Sequence, residues 1–318
     1  MKITKETTLR EMYENDALTN ARGNIVSSAG DKWYLSYIDF TLAQVQKKNP
    51  TWDCGDMIYG LERLYALAEA GERYAYTISD KTGVQMLRLP AAVKTKEPFA
   101  LLLAGGAYGA VCTLPESLPV AARLNELGFD CFCLNYRTAD ESDFAAGLLP
   151  KPLEDIADAV RYIQNELGYG GSYFVGGFSA GGHAASLWGT AHVGARHYGL
   201  PQPELLMLAY PLISAETFPD SPIRRYMCQG MFGKGYSPED MRMYDASLHV
   251  DPAYPRVYLV NAEDDSTVSQ TNADRMRDAL GGKIRLERGK TGGHGFGLGS
   301  ATPLNGWVER AVKYMESI

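Results

Sequence analysis

The stretch SYFVGGFSAGGHAA, residues 172–185, decides how the chain folds. Its apolar start, residues 172–177, predicts a buried strand, and an Ala-rich helix is predicted from about residue 180 to 198. Between them, GFSAG at residues 177–181 matches the pattern G-x-S-x-G. In this strand–turn–helix setting a serine is held on a tight, strained turn that exposes its hydroxyl. Ser179 is therefore the candidate nucleophile.

Short apolar runs alternate with helical patterns on both sides of this stretch. Further strands are predicted at 98–104, 130–136, 204–210, 256–262 and 283–288, and further helices at 117–127, 153–167, 270–280 and 304–316. Ser117 is a candidate N-cap and Gly128 a stop for the helix at 117–127. The alternation predicts the α/β class, with a mostly parallel central sheet covered by helices on both faces.

Three segments depart from the alternation. Residues 1–70 are mixed and partly helical, and they predict an N-terminal extension whose role as a cap or a dimer contact is left open. Residues 75–79 and 84–89 predict an antiparallel hairpin ahead of the core. Residues 211–255, rich in Met, Tyr and Phe, form an insertion that is either a lid or a second small core. The predicted catalytic domain is thus 71–318.

Composition and charge exclude several classes of function. The 318 residues carry a net charge of -7 and no basic block, which argues against a nucleic-acid partner. No apolar stretch is long enough to span a membrane, and the charged N-terminus lacks the apolar core of a signal peptide, so a cytoplasmic location is expected. Five cysteines without C-x-x-C spacing argue against a disulfide framework and a zinc site. No metal or organic cofactor is expected.

A serine hydroxyl needs a base within reach, and the chain has five histidines. Three of them, His183, His192 and His197, fall on the helix predicted after Ser179 and run away from the turn, and His249 lies in the insertion. His294 lies in the loop GGHGFG, residues 292–297, after the last predicted strand. The carboxyl edge of a parallel sheet is where such a base belongs, so His294 is the candidate.

An acidic residue must orient the imidazole and stabilise its charged form. Glu263, Asp264 and Asp265 directly follow the strand predicted at 256–262, at the same sheet edge. The residues alone do not separate the three. The chain order of serine, acid and histidine is the one this kind of fold uses.

A glycine-rich loop follows the strand predicted at 98–104. In LLLAGGAYGA, residues 101–110, small residues allow backbone amides to approach a carbonyl oxygen. The candidate oxyanion-hole donors are the amides of Gly106 and Ala107, together with Ala180 at the start of the helix.

Several motifs together carry a family resemblance: GGAYG, LNELGFDCFCLNYR, VGGFSAGGHAA, LAYPLIS, AEDDSTV and GGHGFGLG. In this order they resemble the bacterial esterases of the α/β-hydrolase superfamily, and are most similar to the acetyl-xylan and feruloyl esterase-like, carbohydrate esterase-like group. The resemblance covers roughly residues 70–318 and implies an α/β-hydrolase fold. In that family the acid stands three residues before a valine, which favours Asp265 ahead of Val268.

These observations predict a serine hydrolase that cleaves carboxylic esters through an acyl-enzyme. Short acyl esters of a sugar or small alcohol are the expected small-molecule substrates, with Tyr108, Met231 and Phe232 as candidate pocket residues. A serine peptidase or amidase and an acyltransferase with the same catalytic residues remain alternatives, as does a catalytically silent binding module. The sequence leaves the oligomeric state open.

Overall fold

The structure is a computed structural model that describes residues 1–25, 27–28, 37–79 and 82–317. Residues 26 and 29–36, which belong to the predicted N-terminal extension, lie outside the described residues.

The described strands fall into one large sheet and one short pair. Their bounds are β1 Ser27–Ser28, β2 Ala75–Thr77, β3 Gln85–Leu89, β4 Phe99–Leu103, β5 Ala110–Val111, β6 Cys131–Asn135, β7 Tyr173–Phe178, β8 Leu205–Ala209, β9 Arg256–Ala262 and β10 Ile284–Gly289. The large sheet has the order β10-β9-β8-β7-β4-β6-β3-β2, and β1 pairs with β5. All neighbours from β10 to β6 are parallel, whereas β3 and β2 are antiparallel. The mostly parallel sheet and the antiparallel hairpin are therefore confirmed.

Helices precede the sheet, connect its strands and close the chain. Their bounds are α1 Leu9–Tyr13, α2 Arg22–Ile25, α3 Leu42–Lys48, α4 Cys54–Glu69, α5 Ser117–Glu126, α6 Asp143–Ala146, α7 Lys151–Asn165, α8 Ser179–Trp188, α9 Pro222–Phe232, α10 Pro238–Met243, α11 Thr271–Leu280 and α12 Trp307–Glu316. Among the described residues, no helix combines the length and apolar character needed to cross a bilayer.

The core lies on both faces of the sheet, as the continuous apolar strands require. Along β4, Ala100 and Leu102 belong to one buried cluster and Leu101 and Leu103 to the other, because successive strand residues point to opposite faces. Helices α4, α5 and α12 cover the first face, and α7, α8 and α11 cover the second. Both faces of the sheet are thus removed from water.

The N-terminal segment packs onto one face of the large sheet through α4. Met57, Leu61 and Leu64 of this helix are fully buried in the first cluster. At Gly60 an added Cβ would lie 2.8 Å from the backbone nitrogen of Pro119, so α4 and α5 approach closely. The segment before residue 71 therefore shares a core with the sheet.

The order of the strands positions the site. Neighbours in the sheet are non-consecutive around β4, which lies between β7 and β6. Ligands of open α/β sheets bind at such a switch point, beyond the carboxyl ends of the strands. Leu103 at the end of β4 pairs with Gly177 near the end of β7. The loop after β4 and the turn after β7 are thereby brought side by side.

Two sequence predictions about helix ends were wrong. Ser117 is the first residue of α5, and Glu116 occupies the N-cap position. The Glu116 side chain does not cap the helix, because its carboxyl group accepts from the amide of Gly105. The helix predicted to continue to residue 198 ends at Trp188. There the side chain and amide of Thr190 both donate to the Leu187 carbonyl, an acceptor that the next helical turn would need. His192 and His197 consequently lie outside α8.

Candidate active site

Ser179 stands on a sharp turn between β7 and α8. Its backbone φ is +51°, in the left-handed region that non-glycine residues rarely adopt. The turn is tight: a Cβ added at Gly181 would lie 2.0 Å from the carbonyl oxygen of Leu103. At Gly177 it would lie 2.6 Å from the Ala185 Cβ. The glycines of the motif are therefore required for strand and helix to meet, and this strained turn presents the Ser179 hydroxyl at the sheet edge.

His294 lies between Ser179 and an acidic residue. Its Nε2 is 2.8 Å from the Oγ of Ser179, and its Nδ1 donates to Oδ2 of Asp265 at 2.8 Å. A carboxylate can only accept, so Nδ1 carries the proton and Nε2 is free to accept from the serine hydroxyl. The three predicted residues, far apart in sequence, are thus brought together by the structure.

The structure distinguishes the three acidic residues that the sequence left open. The Asp265 side chain is 2% exposed, and its second oxygen accepts from the amides of Thr267 and Val268 at 2.8 and 2.9 Å. The Asp264 carboxylate instead accepts from the amide of Gly293. Among the described residues, only the carboxylate of Asp265 contacts the His294 ring.

The loop after β4 crosses directly in front of the serine. A Cβ added at Gly105 would lie 2.7 Å from the Ser179 Cβ, so this loop and the serine turn touch. Gly106 and Ala107 follow with φ of +129° and +53°. The amides of these two residues and of Ala180 have no hydrogen-bond acceptor among the described residues. They are available to an oxygen atom of a bound substrate.

His183 is engaged elsewhere and cannot serve as the base. Its Nε2 donates to the carbonyl of Tyr244 at 2.7 Å, so its Nδ1 accepts from the hydroxyl of Tyr108 at 2.8 Å. Complete burial lowers the pKa of His183 to about 4. A neutral histidine with both nitrogens occupied holds the insertion and the loop after β4 together.

Two residues that sequence reasoning missed link the loops around the site. The buried carboxyl group of Glu116 accepts from the amide of Gly105 and from the hydroxyl of Tyr210. The Tyr210 hydroxyl in turn accepts from the amide of Gly297 at 2.9 Å. The Tyr210 ring lies edge-on to the His294 ring, with 5.0 Å between centroids. Tyr210 directly follows β8, at the same edge of the sheet as Ser179. This position could have indicated from the sequence that Tyr210 belongs to the site.

Burial raises the pKa of Glu116 to about 7, although the Gly105 amide, the nearby His294 and Tyr210 act in the opposite direction. Desolvation of the charged form is therefore the larger effect.

Among the described residues, no group of three His, Cys, Asp or Glu side chains is arranged to hold a metal ion.

The chain is similar to a known protein family and to several solved structures. The profile of the BD-FAE family matches residues 87–198. An acetyl ester-xyloside bifunctional hydrolase from Caldicellulosiruptor lactoaceticus is 27% identical, with a TM-score of 0.62 over 74% of this chain and 88% of that one. No curated protein sequence matches the chain.

The chain has the α/β-hydrolase fold. Two more distant structures share this fold. The carboxylesterase Cest-2923 from Lactobacillus plantarum WCFS1 is 20% identical, with a TM-score of 0.58 over 74% of this chain and 92% of that one. A truncated carbohydrate esterase from gut microbiota is 15% identical, with a TM-score of 0.61 over 77% and 96%. The resemblance to esterases of this superfamily is confirmed, and the hydrolase is an enzyme of the serine-hydrolase, carboxylesterase type.

Ser179 and His294 open into a cavity of about 630 Å³. One side is formed by the loop after β4, with Gly106 and Ala107, and by Ser179. Residues 48–52, from the N-terminal segment, line the same cavity. Pockets of this size commonly hold small organic ligands.

The predicted pocket residues of the hydrolase lie apart from this cavity. Tyr108 and Met231 line a second cavity of about 490 Å³, which shares Ala107 and Gly109 with the first. Phe232 lines neither of these two cavities, and its ring stacks on Tyr244 with 6.0 Å between centroids. Within the insertion, Ala215, Cys228 and Met241 form a small buried cluster of their own. The insertion thus contains a small second core, one of the two alternatives that the sequence left open.

Proposed function

We propose that this hydrolase cleaves carboxylic esters in two steps through an acyl-enzyme on Ser179. The observation that carries the proposal is the position of the His294 ring, 2.8 Å from the Ser179 Oγ on one side and 2.8 Å from an Asp265 oxygen on the other. A base that is hydrogen-bonded to a nucleophile and oriented by a carboxylate is the arrangement of nucleophilic acyl transfer.

In the first step, the Ser179 oxygen attacks the ester carbonyl carbon while His294 Nε2 takes the serine proton. The negative charge that develops on the carbonyl oxygen is stabilised by the amides of Gly106, Ala107 and Ala180. Asp265 holds the Nδ1 proton in place and stabilises the imidazolium that forms. His294 then passes its proton to the alkoxy oxygen, the C–O bond breaks, and the alcohol leaves.

In the second step, water replaces the alcohol. His294 removes a proton from the water as its oxygen attacks the acyl carbon, and the same amides stabilise the second tetrahedral intermediate. The proton then returns from His294 to the Ser179 oxygen as the acyl–serine bond breaks. The carboxylic acid is released and the hydroxyl is restored.

Short, acetyl-type acyl groups on a sugar or small alcohol are the proposed substrates. This part of the proposal is supported by the likeness to the acetyl ester-xyloside hydrolase at 27% identity. We also propose that residues 71–318 are the catalytic domain and that residues 1–70 are an extension attached to it.

The test is hydrolysis of p-nitrophenyl acetate by the purified full chain, compared with Ser179→Ala. Ser186→Ala is the matched control, because the Ser186 hydroxyl lies on the same helix but donates to the His183 carbonyl. Turnover should disappear in Ser179→Ala and persist in the control. Equal turnover in wild type and Ser179→Ala would overturn the proposal. A wild type that is silent on esters but cleaves peptides would show a peptidase instead.

A further inference from the structure

Five consecutive residues ahead of α4 form one wall of the cavity that contains Ser179. Residues 48–52 line the same cavity as Ser179 and His294. They come from the part of the chain outside the region matched by the family profile, which spans residues 87–198.

This wall is attached to the loop that carries the base. The Thr51 hydroxyl donates to the carbonyl oxygen of His294 at 2.5 Å, across 243 positions of sequence. A Cβ added at Gly295 would lie 3.1 Å from Trp52 Nε1, so the indole is packed against the same loop. The wall therefore lies beside the backbone of His294 and lines the cavity into which its side chain opens.

The wall is fixed in place by the helix that follows it. The Asp53 side chain caps α4 by accepting from the amide of Asp56 at 3.0 Å. The Asp56 carboxyl group then accepts from the amide of Ser300, and the apolar face of α4 is buried in the core. A wall held on a packed helix is formed before the substrate arrives.

The mechanism determines which part of an ester meets this wall. The carbonyl oxygen must face the amides of Gly106 and Ala107 in the loop after β4, whereas residues 48–52 contact the other loop, which carries His294. The alkoxy oxygen must lie within hydrogen-bond distance of His294 Nε2, since that nitrogen protonates it. The alcohol part of the ester therefore extends from His294 along residues 48–52.

We propose that residues 48–52 are the binding wall for the leaving alcohol and that Trp52 selects alcohols built on a six-membered ring. This inference rests on the proposed ester hydrolysis. The Trp52 side chain is partly exposed and lines the cavity, and an indole is a flat apolar group on which a ring can pack. Lys48 and Asn49 add polar groups at the same wall, and the cavity of about 630 Å³ has room for a ring beside the acyl carbon.

The experiment compares two acetate esters that differ only in the alcohol, cyclohexyl acetate and ethyl acetate. Wild type, Trp52→Ala and Trp52→Phe are assayed for kcat/KM on both esters. In Trp52→Ala the value for cyclohexyl acetate should fall about 10-fold, whereas that for ethyl acetate should change less than about 2-fold. Trp52→Phe, which retains a ring, should recover most of the loss.

Tyr226→Ala tests the other location for the alcohol, because Tyr226 is 65% exposed and lines the second cavity. An equal effect of Trp52→Ala on both esters, or no effect on either, would overturn the inference. If only Tyr226→Ala lowered kcat/KM more for cyclohexyl acetate than for ethyl acetate, the alcohol would lie in the second cavity. That result would also overturn the inference. These results leave ester hydrolysis intact, whereas a wild type without turnover of any ester would refute the proposed function itself.

Discussion

The carboxyl group of Glu116 accepts a hydrogen bond from the amide of Gly105, at the start of the loop that crosses in front of Ser179. Through Tyr210 the same carboxyl group reaches the amide of Gly297, in the loop that carries His294. One buried acid thereby joins the two loops whose relative position sets the distance between the oxyanion donors and the base.

The stability of the fold should depend on the protonation of Glu116. Its pKa is raised from 4.5 to about 7 by burial, so the folded state binds this proton more tightly than the unfolded state. The contribution of Glu116 to the free energy of unfolding is fully present below about pH 4.5. It is lost as the pH rises to about 7, by on the order of 3 kcal/mol. Glu116→Gln has no charge to bury, and its amide oxygen can still accept from Gly105.

Thermal unfolding of wild type and Glu116→Gln at about pH 5 and pH 8 measures this dependence. The melting temperature of the variant relative to wild type should be higher at pH 8 than at pH 5. A difference that does not change with pH would show that Glu116 does not titrate in this range.

Replacing Asp265 by Asn should remove the orientation of the base. The amide can donate to Nδ1 and favour the wrong tautomer, so kcat should fall by on the order of 10³-fold or more, with a smaller change in KM. Asp264→Asn is the matched control, since its side-chain oxygen can still accept from the Gly293 amide. Steady-state kinetics on p-nitrophenyl acetate would show both effects, and similar kcat values for the two variants would contradict the assignment.

Replacing either of two glycines in the loop after β4 by alanine should affect kcat very differently. At Gly106, with φ of +129°, an added Cβ would lie 2.2 Å from the Ala110 carbonyl oxygen, so Gly106→Ala must displace the loop. Loss of the oxyanion donors should lower kcat by about 10²-fold or more. At Gly109 the nearest atom is 3.9 Å away, so Gly109→Ala should remain within about 3-fold of wild type. A folded Gly106→Ala with unchanged kcat would exclude this loop as the oxyanion hole.

Thr51→Val tests the bond between the N-terminal wall and the base. Valine keeps the shape of threonine but cannot donate to the His294 carbonyl, which loses its 2.5 Å partner. The loop should loosen, and kcat should fall about 3- to 10-fold for small and large alcohols alike, with a loss of about 1 kcal/mol in stability. Parallel kinetics on ethyl and cyclohexyl acetate would show it. A loss confined to the larger ester would mean that Thr51 contacts the alcohol instead.

The sequence predicted the sheet well because its strands are short continuous apolar runs between turn residues. The observed bounds of β4, β6, β7, β8, β9 and β10 differ from the predicted ones by about one residue. The location of residues directly after strands could also be predicted, because the carboxyl ends of parallel strands share one edge of the sheet. Ser179 and the acidic residues after β9 were therefore expected at the same edge.

What the sequence did not reveal depends on contacts between distant segments. The partnership of Thr51 with His294 spans 243 positions, and that of Tyr210 with Glu116 spans 94. Neither pair forms a motif, since a hydroxyl or a carboxyl group has many roles in a folded chain. For the same reason, the sequence did not predict that residues 48–52 line the cavity that contains Ser179. Local patterns place elements, whereas tertiary packing decides which side chains share a cavity.

The proposed reaction passes through a covalent intermediate at Ser179, and trapping that intermediate is the most direct test of the reaction. The full chain is mixed with p-nitrophenyl acetate, quenched with acid during turnover and digested, and the peptides are weighed by mass spectrometry. We expect one added acetyl group on the peptide that contains Ser179, and none on the corresponding peptide of Ser179→Ala. Turnover with the acetyl group on another residue, or with no acylated peptide at any time, would contradict it.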